Sequence, residues 1–157
     1  MSKKKQHVAL YNQLQSFARL YTFRDPNVSC LFGLRVNECY VLDYVANEGP
    51  LSVSQLADVL GIHKSNTSRI ISALESAKLV RLVEHEKDGR TKIVELTALG
   101  INKHKQIQAY FVDRLRRVLK RFSPSEIETS MALIAALTDD ASQRILEVQN
   151  SNTPETI

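Results

Sequence analysis

The stretch LSVSQLADVLGIHKSNTSRIISALESAKLV, at 51–80, limits the possible folds more than any other part of the chain. Its apolar residues recur at helical spacing on both sides of a single glycine. Ser52 followed by Gln55 is a capping box: the hydroxyl accepts from the third helical N–H, and the amide side chain reaches back. The helix it opens is short, with Leu56, Ala57 and Leu60 inward and Gly61 at its end. Gly61 supplies the turn's backbone conformation. The small Ala57 lets a following helix cross closely. That second helix begins near Lys64 and turns Thr67, Ile70, Ile71 and Leu74 inward. Two helices joined by a few residues around a glycine form a helix-turn-helix unit.

The period then changes from helical to two. LVRLVEHE and TKIVEL flank KDGR at 87–90, and Asp-Gly between alternating segments is a strong hairpin signal. A β-hairpin after a helix-turn-helix is a wing. The expected fold class is therefore mainly α with a small β-hairpin wing: a winged helix-turn-helix.

The flanks are helical. Leu10, Leu14, Phe17 and Tyr21 form one stripe, which RDPNVSC ends at Pro26. A second helix is expected over 36–47, with Cys39, Leu42 and Val45 or Ala46 inward. Thr97 is the candidate N-cap of a helix over 98–121, about 35 Å long. Ser123 and Pro124 suit the N-cap and first position of the last helix. That helix carries Ile127, Met131, Ile134, Thr138, Ala141, Ile145 and Val148 at alternating spacings of four and three, a heptad seam. One domain over 1–157 is expected, with the winged helix at 34–97, dimerisation helices at 1–33 and 98–150, and a frayed tail at 151–157. The outer seams have no other domain to cover them, so a second copy is the expected partner. Leu10, Leu14, Phe17, Met131, Ile134 and Ile145 are the expected interface residues; obligate interfaces of this kind often exceed about 2,000 Å².

The charge admits an anionic partner. The formal net charge is +4, and between Gly61 and Lys92 seven positive side chains face four negative ones. Opposite the inward face of the second helix lie Ser65, Asn66, Ser68, Arg69 and Ser72, with Lys64 at the start. This polar, short-chained face suits a major groove, where arginine binds guanine and asparagine binds adenine with paired hydrogen bonds. At the hairpin tip, Arg90 suits the narrow minor groove, where the negative potential is strongest. Asp88 can hold that guanidinium in one direction, and Lys87 and Lys92 serve phosphates. Taken alone, such a face is equally a solvated surface and such a tip a solvated turn. Over 98–121, seven positive residues stand against Asp113 alone; they either draw in DNA or pair with acids on a partner's last helix.

From about Leu34 to Gly100 the sequence resembles the MarR family of bacterial winged-helix regulators. The motifs that carry the resemblance are Leu56-Ala57, Lys64-Ser65, Asp88-Gly89-Arg90 and the closing Leu96-Thr97-Ala98-Leu99-Gly100. The resemblance implies a homodimer bound to a pseudo-palindromic operator on double-stranded DNA, usually as a repressor. It also implies a possible small-molecule effector lodged between the dimer helices and the winged domain. Tyr11, Phe17, Tyr40, Tyr44, Tyr110 and Phe111 suit either such a cleft or a core. The chain differs from the family pattern at several places. Lys78 stands where a glycine usually ends the recognition helix, Leu82 where the first wing strand usually has arginine, and Gly89 where the tip usually has arginine. Arg35 and Cys39 replace a threonine cap and an apolar residue, and His63 replaces an acidic one.

Other classes fit less well. The sequence has no glycine-rich phosphate loop and no Ser-His-Asp motif, so no enzyme activity and no cofactor are expected. His7, His63, His85 and His104 lack zinc-site spacing, so no metal is expected. Cys30 and Cys39 make no disulfide framework, but a redox-responsive regulator using either is an alternative, with Arg24 and Arg35 as neighbours that favour a thiolate. A winged helix used only for protein contacts is another. The longest apolar run, MALIAAL at 131–137, is far short of the roughly 20 residues of a membrane span. No secretory signal is apparent, so a cytoplasmic protein without a membrane partner is expected.

Overall fold

The computed structural model describes residues 2–22, 32–85 and 88–151, without the side chains of 19–22, 88–90 and 145–151. The elements in order are α1 (Lys3–Thr22), α2 (Val36–Glu48), β1 (Leu51–Ser52), α3 (Val53–Leu60), α4 (Lys64–Ser76), β2 (Val80–His85), β3 (Asp88–Leu96), α5 (Ala98–Leu119) and α6 (Pro124–Ser151). Packing divides the chain into two units, Met1–Ile107 and Gln108–Ile157, with the boundary inside α5.

The first unit holds the buried core. Val41, Leu42 and Val45 of α2, Leu56 and Ala57 of α3, and Ile71 and Leu74 of α4 are buried together with Leu79, Val80 and Val94. Thr67 is fully buried as well; its hydroxyl donates to the His63 carbonyl at 3.3 Å, which satisfies a polar group in an apolar place. The expected inward residues Leu60, Ile70 and Cys39 are only half-buried, because they sit at the margins of their helices' inner faces.

Local chemistry explains the helix boundaries. Gln55 N donates to Ser52 Oγ at 3.2 Å, and Ser52 N donates to Gln55 Oε1 at 2.8 Å, the reciprocal cap expected. Gly61 is left-handed at φ 62°, and the Ile62 amide donates back to the Ala57 carbonyl at 3.1 Å. At α2 the missing threonine cap is replaced from inside the helix. The buried Glu38 carboxylate accepts from the Arg35 amide at 2.7 Å.

The sheet has three strands, in the order β1-β3-β2, and all pairs are antiparallel. The hairpin was expected; β1 was not. Leu51 pairs with Val94 and Ser52 with Ile93. A two-residue strand is too short to carry a period, so its only sequence mark was its place before the Ser52 cap. The wing also differs in register. Val80 pairs with Leu96 and Glu84 with Lys92, but His85 pairs with Asp88. Asp88 and Gly89 therefore belong to β3, beside a register shift, rather than to the centre of the turn. An extra stretch on one strand is the geometry of a bulge, which glycine accommodates.

In the second unit, α6 begins at Pro124 behind the Ser123 cap, as expected. Ser123 N and Oγ both donate to Glu126 Oε2, at 2.8 and 2.7 Å. These bonds, the backbone one first, hold the Glu126 carboxyl below its ordinary pKa. The helix expected over 98–121 stops at Leu119, two residues early.

Candidate nucleic-acid interface

The structure places the expected contact residues of α4 on one open face. Lys64, Ser65, Asn66, Ser68, Arg69 and Ser72 are all exposed, opposite the buried Thr67, Ile71 and Leu74. The serines differ in what they present. Ser68 Oγ donates to the Lys64 carbonyl at 2.9 Å, so outward it offers acceptor lone pairs only. Ser76 is exposed one turn beyond Ser72 and donates to the Ser72 carbonyl at 2.8 Å; it extends the expected face by a residue. Arg69 is the one guanidinium on this face.

The end of α4 is tightly capped. Ala77 N donates to the Ala73 carbonyl at 3.0 Å, Lys78 N to Glu75 at 2.8 Å and Leu79 N to Leu74 at 2.9 Å. This is the Schellman pattern, which needs a left-handed residue. Lys78 takes that place at φ 59° where the family pattern has glycine. Thr97 ties the same point to the start of α5. Its hydroxyl donates to the Lys78 carbonyl at 2.6 Å and accepts from Gly100 N at 3.0 Å. Its own amide donates to the Leu79 carbonyl at 3.0 Å. Gly100 lies flush against the Leu79 backbone, whose carbonyl oxygen occupies the space a Cβ would need. The Leu-Thr-x-x-Gly motif thus has a physical meaning here. It docks the first turn of α5 on the end of α4.

On the wing, the described cations are paired within the sheet. Lys92 Nζ lies 3.0 Å from Glu84 Oε1. Arg81 Nε and Nη2 both donate to Glu95 Oε2, at 2.9 and 2.7 Å. Both pairs are solvent-exposed and therefore weak enough to exchange for a phosphate. The backbones of Asp88 and Arg90 lie in β3; their side chains, and Lys87, are outside the described residues, as is Cys30. Cys39 is half-buried on α2.

The expected interface residues are open in the single chain. Phe17, Met131 and Ile134 are 60%, 65% and 61% exposed, and Leu10 and Leu14 are also exposed. The side chain of Ile145 is outside the described residues. The aromatic residues suited to a cleft or a core are not core: Tyr11, Phe17 and Tyr40 are exposed, and Tyr44, Tyr110 and Phe111 are half-buried. One polar pair had no sequence signal. His104 of α5, buried, meets Asp43 of α2 at 2.9 Å across 61 residues of sequence. Among the described residues there is no cluster able to hold a metal, and no helix long and apolar enough to cross a membrane.

A helix-turn-helix with a three-stranded wing and an open polar second helix is the winged-helix arrangement of DNA-binding transcriptional regulators. Comparisons with known proteins show what the chain is similar to. Residues 32–91 match a family model described as the MarR family. YxaD of Bacillus subtilis, an uncharacterized HTH-type transcriptional regulator, is 28% identical over 116 residues, covering 74% of this chain and 81% of that protein. The crystal structure of the transcriptional regulator BldR from Sulfolobus solfataricus superposes with a TM-score of 0.69 at 24% identity, covering 88% of this chain and 99% of the other. AbsC, a MarR family regulator from Streptomyces coelicolor, gives 0.69 at 22% identity, covering 90% and 96%. Over residues 32–91 the chain is similar to the MarR family, and the solved structures share its fold.

Proposed function

We propose that the protein is a homodimeric repressor that binds a pseudo-palindromic operator, with the recognition helix 64–77 in the major groove and the wing 84–92 in the minor groove. The observation that carries this reading is the outward face of α4. It is exposed, nearly free of negative charge, and has one guanidinium among short hydroxyls. Such a face fits close against base edges, and Arg69 has the geometry to take guanine O6 and N7. Lys64 and Lys92 serve phosphates. Arg90, with Asp88 two residues before it to orient the guanidinium, serves the minor groove, and Lys87 serves a phosphate.

The open seams of α1 and α6 support self-association. Two copies place two recognition helices about one helical turn of DNA apart, and a two-fold dimer then reads an inverted repeat. Occlusion of a promoter by such a dimer represses transcription.

Titration of duplex DNA over a range of salt tests the DNA reading, with sedimentation run on the same sample. The account expects a dimer at micromolar concentration and an affinity that falls steeply with salt, about 0.9 in log-log slope per phosphate contact. Arg90→Ala binds at least about tenfold more weakly, a loss of roughly 1.4 kcal/mol or more. A monomer removes the inverted-repeat geometry. Affinity that ignores salt removes the DNA partner.

A further inference from the structure

We propose that Lys78 is a phosphate contact, closing the far end of the DNA footprint of α4 as Lys64 opens the near end. The assignment rests on the reading of α4 as a recognition helix.

Lys78 is at φ 59°, in the left-handed region, where a side chain costs energy that glycine avoids. Everything the backbone does at this position, glycine would do as well. The amide of Lys78 caps Glu75, its carbonyl receives the Thr97 hydroxyl, and Leu79 N closes on Leu74. None of these bonds involves the lysine side chain. What lysine adds is a charge on a long stem, and the stem is exposed.

Among the described residues, the fold makes no use of that charge. A cation at a helix end can serve unsatisfied carbonyls, but those of Ala73, Leu74 and Glu75 are already taken by the amides of Ala77, Leu79 and Lys78. The ammonium makes no ion pair or hydrogen bond among the described residues. Nearby, Arg81 and Lys92 are paired with Glu95 and Glu84. Among the described residues, Lys78 is left uncompensated.

Lys64 is the counterpart at the other end. It sits in the first turn of α4, where the helix dipole disfavours a cation. Both termini thus carry a lysine against a local preference. The rise along the helix separates them by about 21 Å, while the major groove is about 12 Å wide. A helix lying in that groove overhangs at its ends, and what lies there is the phosphate backbone.

The test is Lys78→Gly, with Lys78→Arg beside it, in the full chain. Melting temperature is measured, then affinity for DNA at several salt concentrations. Lys78→Gly is expected to melt at or above the wild-type temperature and yet bind DNA at least fivefold more weakly. A dimer loses two contacts, so its salt slope becomes shallower by about 1.8. Lys78→Arg keeps the wild-type slope. Wild-type affinity and slope in Lys78→Gly overturn the assignment, as does weaker binding that only follows a lowered melting temperature. If the wild type itself does not bind DNA, the reading of α4 falls first, and the assignment falls with it.

Discussion

Gly100 shows how one residue joins two elements. It is a helical glycine, so its value is not conformational freedom but the missing Cβ, which lets α5 rest on the Leu79 backbone. Gly100→Ala forces that carbonyl away and disturbs the Thr97 bonds beside it. The expected cost is about 1–3 kcal/mol, the range of overpacking at a site that cannot yield easily, read as a lower midpoint in urea unfolding. Unchanged stability would mean the two backbones part at little cost. The sequence carried the position of this glycine in the closing motif, but not its reason, because Leu79 lies 21 residues earlier. The same limit hid the His104–Asp43 pair and the buried cap made by Glu38. Chemistry that reaches three or four residues along a helix was legible, as with Ser52 and Gln55. Chemistry between distant segments was not.

At the scale of elements, the strongest period and turn signals placed α3, α4 and the two long wing strands. The errors fell where a local signal competes with pairing. Asp88-Gly89 reads as a turn centre, yet the ladder extends to Asp88 and puts the pair at a shift in register. The cap of α6 gives a prediction with a defined sign. Ser123 holds Glu126 in its charged form, and the carboxyl titrates below its ordinary value. A group with a depressed folded pKa stabilises above its unfolded pKa, and that contribution is lost as pH falls through the folded value. Helicity followed by circular dichroism should therefore show a part of its acid loss that disappears in Glu126→Gln. That variant keeps a capping side chain but not the titration. Identical acid profiles for the two proteins would show that the charge of Glu126 is irrelevant to α6.

At the scale of the whole molecule, the packed core belongs to the winged helix, while α1 and α6 present their apolar stripes to solvent. A surface helix has one polar side. Met131–Leu137 of α6 is apolar in every direction around the axis, which fits a helix covered on several sides in an assembly. No operator is legible in the residues alone, because base preference depends on how α4 and the wing meet DNA together. Selection from a random duplex library by the wild-type protein, under reducing conditions, tests that joint geometry most directly. The account predicts an enriched inverted repeat whose half-sites are centred about one turn apart, roughly 34–36 Å. Selection by Arg69→Ala should lose base preference at one symmetric pair of positions. A library that emerges without any enriched repeat would contradict the claim that this winged helix reads a sequence.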